Sequence, residues 1–388
     1  MIYYGKQNIN EADIEAVETV LRSDFLTQGP AIERFERRVA DYCGAKYAVA
    51  VTNATSALHI ACLTAGMGKD DVLWTSPITF VASANCARYC GSDVDFVDID
   101  EKTYNMSADC LEEKLRKAKS EGKLPKMVIP VHLAGQSCDM ARIHALAEEY
   151  GFAVTEDASH AVGADYLNTK VGSCAFSDMT VFSFHPVKII TTGEGGMVLT
   201  NCKDLYEKLL LYRSHGITRN AADMTHEPDG PWYYQQLELG FNYRMTDIQA
   251  ALGCSQMDRL DTFVTRRREL VARYDAALQD LPVKTPYVME GADPSWHLYV
   301  IRVDFTKVCK SKREVFAQMA ERGVALNLHY IPVHTQPYYE ALGHRPEECP
   351  NAMEYYREAL TLPLYYGLSD EEQDGVVENL ASVLTERC

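Results

Sequence analysis

Lys188 is the residue from which chemistry can be read most directly. It lies in SFHPVKIITTGEGG, an irregular loop between residues 179–184 and 197–200, two runs whose β-branched, aromatic and aliphatic content reads as core strands. Pro186, Gly193, Gly195 and Gly196 break regular structure there and let backbone pass close to a bound group. Burial disfavours the ammonium form of a lysine, and the neutral amine is the form that attacks carbonyls. Taken alone, the stretch favours a plainer reading, a solvated lysine beside a Gly-rich turn, because lysines are mostly exposed.

Three further segments bear on that choice. TNATSALHIACLTAG sets Asn53, Thr55 and Ser56 where a strand becomes a helix, and a helix N-terminus offers unpaired N–H groups and the positive end of a dipole to a phosphate. The same residues also serve as an ordinary N-cap. In TEDASHA the apolar run 152–154 ends in Glu156, Asp157 and His160, at the carboxyl end of a strand, where parallel sheets bind ligands. A carboxylate there can equally cap the next turn. Phe80, in SPITFVASAN, follows another strand end and could stack on a flat ligand, although a lone phenylalanine more often packs in a core.

Such groups need a frame, and the chain supplies one. Runs 72–76, 94–99, 127–132 and 152–155 read as strands alternating with helices at 78–89, 111–119 and 140–150, the pattern of an α/β fold with a mostly parallel sheet flanked by helices. Before it come an extended arm, a helix capped by Asn10, the turn-rich connector 24–30 and a second helix at 31–43. After it, residues 217–231 form a polar, turn-rich excursion, and a long helical region capped by Thr246 becomes charged near 259–273. Strand-like runs at 296–303 and 324–329, a helix at 312–322 and a terminal helix from Ser369 complete a smaller α+β unit. The division expected is a large domain, 1–258, with its N-terminal arm, and a small C-terminal domain, 259–388.

Composition narrows the class. With 388 residues, 47% hydrophobic and 24% charged, the chain can bury a sizeable core, and no stretch is apolar enough to span a bilayer. A net charge of −17 opposes nonspecific binding to nucleic acid or to anionic membranes. The N-terminus lacks the basic and apolar regions of a signal peptide, so a cytoplasmic protein is expected. The 12 cysteines show neither C-x-x-C pairs nor zinc-like spacing and read as small core hydrophobes; no metal is expected.

A lysine for a Schiff base, a phosphate site at a helix N-terminus, a strand-end aspartate and an aromatic ring are together the requirements of pyridoxal 5′-phosphate. NATSALHIA, PITFVASAN, EDASHA, SFHPVK with GEGG, and GFNYRMTDIQAAL resemble, over nearly the whole chain, the motifs of the DegT/StrS family of fold-type I aminotransferases acting on nucleotide-linked sugars. The resemblance implies that Lys188 forms the internal aldimine, Asp157 pairs with the pyridinium nitrogen and His160 lies near the ring hydroxyl. It implies stacking by Phe80 and phosphate contacts from Ala54, Thr55, Ser56 and Ser183. Asn242 would reach in from the partner of a homodimer with shared active sites. The lysine loop, YYGKQNI, DFLTQGP, RSHG and LHYIPVH look most like the aminotransferases of pseudaminic acid biosynthesis, although Ile189 stands where that subgroup would have proline.

That subgroup takes the amino group of glutamate, releases 2-oxoglutarate, and aminates C4 of a UDP-linked 4-keto-6-deoxy-N-acetylhexosamine. The product is UDP-4-amino-4,6-dideoxy-N-acetyl-β-L-altrosamine. Implied sugar-nucleotide contacts are Tyr4, Asp24, Phe25, Leu26, Thr27, Ala54, Ser183, His185, Asn242, His329, Tyr330, Ile331 and Pro332. Arg213, His215 and Arg244 are local cations that could aid the diphosphate, or ordinary surface and salt-bridge residues. The alternatives are amination of another UDP- or dTDP-linked keto sugar, and a catalytically silent pyridoxal-phosphate-binding regulator. A sugar dehydratase of the same fold would carry histidine at position 188, and a nicotinamide enzyme would carry G-x-G-x-x-G after its first strand.

Overall fold

The structure is a computed structural model describing residues 1–386. Its centre is a seven-stranded sheet: β1 Tyr47–Val51, β2 Val72–Thr75, β3 Asp93–Phe96, β4 Met127–Ile129, β5 Ala153–Asp157, then β8 Met179–Ser183 and β9 Gly196–Thr200. The two-residue strands β6 Asp165–Tyr166 and β7 Thr169–Lys170 form a small hairpin between β5 and β8. In the order β1-β9-β8-β5-β4-β2-β3, the strands β8, β5, β4, β2 and β3 run parallel, and β9 lies antiparallel to both its neighbours.

Both faces of this sheet are covered, which is why β8 and β9 are mostly apolar and buried throughout. In β8 the alternation of a strand is strict: Met179 and Val181 join the core on one face, Phe182 the core on the other. The first face packs α3 Ala54–Thr64 and α4 Ala82–Tyr89; the second packs α2 Pro30–Cys43. Ahead of them, α1 Glu11–Leu21 starts on a capping box between Asn10 and Asp13. Helices α5 Ala108–Glu121 and α6 Met140–Tyr150 cover the far half, and α7 Lys203–Arg213 follows β9. The polar excursion is closed at its base by β10 Ile217–Thr218 paired with β11 Gln235–Gln236.

The long helical region is two helices, α8 Asp247–Met257 and α9 Leu260–Ala277, separated by a turn at Asp258 and Arg259. Met257 and, past the turn, Leu260, Phe263 and Val264 all pack in the large core, and α9 crosses within its own length to Leu270, Val271 and Tyr274, which belong to the separate core of the C-terminal part. That second core holds β12 Val283–Lys284, β14 Tyr299–Val303 and β15 Ala359–Leu362, one antiparallel sheet, with α10 Lys312–Glu321 and α13 Asp370–Thr385. The C-terminal part is also threaded through the large one. Strand β13 Ala292–Asp293 pairs with β6, while α11 Pro337–Ala341 and α12 Pro350–Glu358 place Tyr339, Ala352 and Tyr355 in the core of the large sheet.

Three local expectations shift. The run 324–329 forms isolated bridges rather than a strand, Ile2 of the N-terminal arm to Val324 and Asn327 to Thr361 of β15. The strand expected from Trp296 begins at Tyr299, since Trp296 has φ +55° and cannot continue a pleat. Helix α4 starts at Ala82 rather than at 78, leaving Phe80 in the turn before it, where Thr79 Oγ1 and Ser83 Oγ are 2.7 Å apart. Among the described residues ten cysteines carry free thiols, seven of them buried. Among the described residues no helix is long and apolar enough to cross a membrane.

Candidate active site

The segments following β2, β4, β5 and β8 converge on one cavity of about 620 Å³, closed from the other side by Tyr4, His297 and residues 327–330. Tyr4 arrives there because the N-terminal arm is pinned to the C-terminal part, Ile2 N donating to Gly323 O (2.7 Å) and Leu364 N to Tyr4 O (3.0 Å). The cavity thus sits at the carboxyl end of the parallel strands.

The lysine loop is tied to itself. Lys188 N donates to His185 O (2.9 Å), Thr192 N to Phe184 O (3.0 Å) and Thr191 Oγ1 to the same carbonyl (3.0 Å), while Ile189 and Ile190 anchor it in the core. Burial pulls the Lys188 ammonium down from 10.5 to about 8, with the nearby Asp157 carboxylate opposing the shift. The neutral amine is therefore populated near neutrality. Nζ lies 3.4 Å from His297 Nε2.

Asp157 ends β5, buried, with Oδ2 accepting from Ser83 Oγ (2.6 Å) and Oδ1 from Ser159 N (3.1 Å) and Ser159 Oγ (2.6 Å). Glu156, one residue earlier, points to the opposite face and is held by His132 Nε2 (2.6 Å), Ser177 Oγ (2.5 Å) and Thr180 Oγ1 (3.0 Å), so it is a structural carboxylate. His160 Nδ1 accepts from the Ala134 amide (3.2 Å), which leaves the proton on Nε2, facing Tyr330 Oη at 3.0 Å. Burial and the Lys188 cation hold its pKa well below the usual histidine range, so the ring is a neutral hydrogen-bond donor.

At the other end of the cavity Asn53 caps α3 by accepting from Ser56 N (2.8 Å), and the first intrahelical bond runs from Ala57 N to Asn53 O (3.1 Å). The amides of Ala54 and Thr55 precede that bond, at the positive end of the helix dipole. Gly196 makes the approach possible: a Cβ there would stand 2.5 Å from Asn53 C and O and 2.6 Å from Ala54 N. Ser183 pairs with Gly196 across β8 and β9 and lines the cavity. Phe80 borders it with 60% of its surface exposed, about 6.4 Å from the Tyr330 ring.

Of the residues read from sequence, Tyr4, Ala54, Thr55, Phe80, Asp157, His160, Ser183, His185, Lys188, His329 and Tyr330 line this cavity. Ser56, Asp24, Phe25, Leu26, Thr27, Asn242, Ile331 and Pro332 do not. Ser56 turns inward, its amide on Asn53 and its hydroxyl 3.1 Å from Thr52 Oγ1. The connector is docked on the start of α8 through Asp247, which accepts from Gly29 N (2.8 Å) and Ala31 N (2.9 Å). Asn242 and Ile331 are surface residues, and Pro332 is buried outside the cavity. Arg213, considered for an anion, is committed to an ion pair with Glu36 and a bond to Ala50 O, and neither His215 nor Arg244 borders the cavity. Sequence reasoning missed His297, Ser83 and Ser159. Nothing in the apolar run SWHLYV marks its histidine, and both serines read as helix or turn residues.

The donor set fits pyridoxal 5′-phosphate: helix-terminal amides beside a glycine cradle suit the phosphate, a buried carboxylate suits a ring nitrogen, an exposed aromatic face suits the ring, and a low-pKa lysine suits the aldehyde. Fold and site together define a fold-type I, pyridoxal-phosphate-dependent aminotransferase. Residues 7–381 match the DegT/DnrJ/EryC1/StrS aminotransferase family, and the chain belongs to that family.

Among its relatives, the spore coat polysaccharide biosynthesis protein SpsC of Bacillus subtilis is 39% identical over 98% of this chain and 96% of its own. The UDP-4-amino-4,6-dideoxy-N-acetyl-beta-L-altrosamine transaminase of Campylobacter jejuni is 35% identical over 99% and 98%. Solved structures include the putative sugar aminotransferase Spr1654 of Streptococcus pneumoniae in its PLP form, with TM-score 0.87 and 29% identity over 98% of this chain and 97% of that one. A PMP form of the same protein superposes equally. Helicobacter pylori PseC, an aminotransferase involved in the biosynthesis of pseudoaminic acid, gives TM-score 0.89 and 29% identity over 99% of each chain.

Proposed function

We propose that this aminotransferase moves the amino group of glutamate to C4 of a UDP-linked 4-keto-6-deoxy-N-acetylhexosamine, for pseudaminic acid biosynthesis. The observation that carries the reading is the meeting, in one cavity, of Lys188, Asp157, Phe80 and the N-terminus of α3. Pyridoxal phosphate, when bound, supplies the electron sink that makes the carbon–hydrogen bond beside the substrate nitrogen acidic. The chain does the rest. Ala54, Thr55 and Ser183 would hold the phosphate, Phe80 would offer its face to the ring, and Asp157, oriented by Ser83 and Ser159, would keep the ring nitrogen protonated. His160 donates through Nε2 within the site. Lys188, as a neutral amine, takes the proton from Cα of glutamate, and in the second half returns a proton at C4 of the sugar.

The specific sugar is supported by the Campylobacter and Helicobacter relatives. Tyr4, His185, His329 and Tyr330 are its contacts within this chain. Asp24, Phe25, Leu26, Thr27, Asn242 and Ile331, which stand exposed outside this cavity, would act on the site of a second copy, so the active form in this reading is a homodimer with shared sites; Pro332, buried in its own chain, has no such reach. The reading also puts the enzyme in the cytoplasm, with its nucleotide-linked substrate. A second reading, amination of a different nucleotide-linked keto sugar, is favoured by the higher identity to the spore coat polysaccharide protein. The test is mass analysis of products formed from glutamate and a panel of UDP- and dTDP-linked 4-keto sugars. Amination of the UDP-linked N-acetyl sugar above all others is expected; preference for another member selects the second reading, and no amination of any refutes both.

A further inference from the structure

The C-terminal part reaches Lys188 Nζ through His297, and it does so by an unusual crossing. Residues 295–298 run across the end of the large sheet, with Ser295 N donating to Gly135 O (3.2 Å), Leu298 N to Ala134 O (3.4 Å) and Ser295 Oγ to His160 O (3.3 Å). The crossing depends on Gly135, whose φ is +100° and where a Cβ would stand 2.8 Å from Trp296 N and 3.0 Å from His297 N. Trp296 itself has φ +55°, a conformation that costs energy in a bulky residue and is kept only where the surroundings hold it. What holds it is Arg267 of α9, fully buried, whose Nη1 donates to Trp296 O (3.1 Å), His297 O (3.2 Å) and Leu364 O (2.9 Å).

The product of this arrangement is the position of His297. Its ring is 3% exposed, packs 4.5 Å from the ring of His160 and brings Nε2 to 3.4 Å from Lys188 Nζ. Nδ1 is buried and has no hydrogen-bond partner. That vacancy chooses the tautomer: a proton on Nδ1 would be a buried N–H with no acceptor, whereas a proton on Nε2 is used in the contact with Lys188 and leaves only a bare lone pair. An Nε2–H donor can bond Nζ only when the lysine is the neutral amine. The charged and titratable groups around the pair are Asp157, His160, His329 and Arg267, and of these only Asp157 favours the ammonium.

We infer that His297 is a further catalytic residue of this site: its Nε2–H donates to the free amine of Lys188, holding the neutral base and aiming its nitrogen whenever the lysine is otherwise unbonded. Arg267 is the positioning residue that sets His297 in place. No electron or leaving group is involved; the ammonium proton is lost to solvent and the histidine keeps its own. The inference rests on Lys188 being the reactive lysine of the proposed function.

The test reads the proton on Lys188 directly. The full chain, stripped of cofactor, is labelled with acetic anhydride across a pH series, and acetylation of the Lys188 peptide is followed by mass spectrometry. The wild-type midpoint is expected far below that of surface lysines in the same digest. Leucine in place of His297 (His297→Leu) is expected to raise the midpoint by about half a unit or more, roughly threefold in proton affinity. Glutamine (H297Q), which sets an amide N–H where Nε2–H was, keeps it near wild type, and asparagine (H297N), which sets it at the Nδ1 position, does not. An unchanged midpoint in H297L, with a lowered melting temperature alone, overturns the inference and makes His297 a packing residue. If H297L does not fold, the difference between H297Q and H297N decides, and equal midpoints refute it. Borohydride reduction of the loaded wild-type protein is the separate control: failure to tag Lys188 would remove the underlying reading, whatever the midpoints are.

Discussion

Replacing Lys188 by methionine should make the cofactor-free protein more stable near pH 7, although it abolishes the chemistry. The lysine's folded-state value is about 8 against 10.5 for an ordinary lysine, and burial is the main cause. That difference of roughly 2.5 units corresponds to about 3.4 kcal/mol at 1.36 kcal/mol per unit. Because the residue is only part-buried, a discount for solvent screening brings the range to about 1–3 kcal/mol. The sign follows from linkage. Below about pH 8 both folded and unfolded chains hold the proton, and the folded state bears the whole cost of the buried cation. Between about 8 and 10.5 the folded state releases the proton while the unfolded chain keeps it, so wild-type stability rises with pH. Above about 10.5 neither is charged and the cost is gone.

A methionine of similar length removes the charge without leaving a large void. With an unfolding entropy of about 2.1 cal/mol/K per residue, the gain near pH 7 amounts to roughly 1–4 °C in melting temperature. Melting curves of wild type and Lys188→Met, both free of cofactor and recorded from about pH 6 to 11, should start apart and converge as the pH passes through the window. A methionine variant no more stable than wild type near pH 7, or an advantage that stays constant across the range, would show that Nζ is not desolvated and would remove the physical basis for a reactive amine.

The Asp157→Asn variant keeps one oxygen to accept from Ser159, turns the bond to Ser83 round so that the new NH2 donates to the hydroxyl, and loses the charge; transamination should fall by about 10²- to 10³-fold, and a loss under tenfold in steady-state kinetics would contradict the assigned role. Gly196→Ala forces β9 away from the N-terminus of α3, so both stability, by about 1–3 kcal/mol, and retention of cofactor on dialysis should drop together. In Tyr330→Phe the His160 Nε2–H loses its partner, worth about 1 kcal/mol, and kcat should fall roughly fivefold while the folded state persists in circular dichroism. His160 is held below its ordinary value by burial and by Lys188, and His329 is pushed down to about 3 by burial, so both stay neutral through the physiological range. The rate profile should accordingly lack an inflection near pH 6.5, and a clear histidine titration there would refute that assignment.

How much of this was legible beforehand depends on the range of the interactions. Lys188 in its glycine-rich loop, Asn53 capping α3 and Asp157 at the end of β5 were visible in the sequence because each depends on neighbours a few residues away: a turn, a cap, the last pleat of an apolar strand. The same local logic read the alternation that builds the parallel sheet, and with it the end of the sheet where the site lies. It also overreached locally, extending one helix through the turn at Asp258 and one strand back to Trp296, because propensity records neither that turn nor the positive φ that Trp296 takes in the packed chain.

What only the tertiary structure decided are the contacts between residues far apart in sequence. Ser83 reaches Asp157 across 74 positions, Lys188 meets His297 across 109 and His160 meets Tyr330 across 170. No periodicity encodes such pairs, since they arise only when α4, the lysine loop and the returning C-terminal segment are packed on one sheet. The fate of Arg213 was decided the same way, by Glu36 lying beside it in the fold. The sequence alone determined which chemistry was available, because residue type and local turn are enough for that. Which groups share the cavity, which tautomers they adopt and how low the lysine titrates were left to packing, because desolvation and hydrogen bonding act through space.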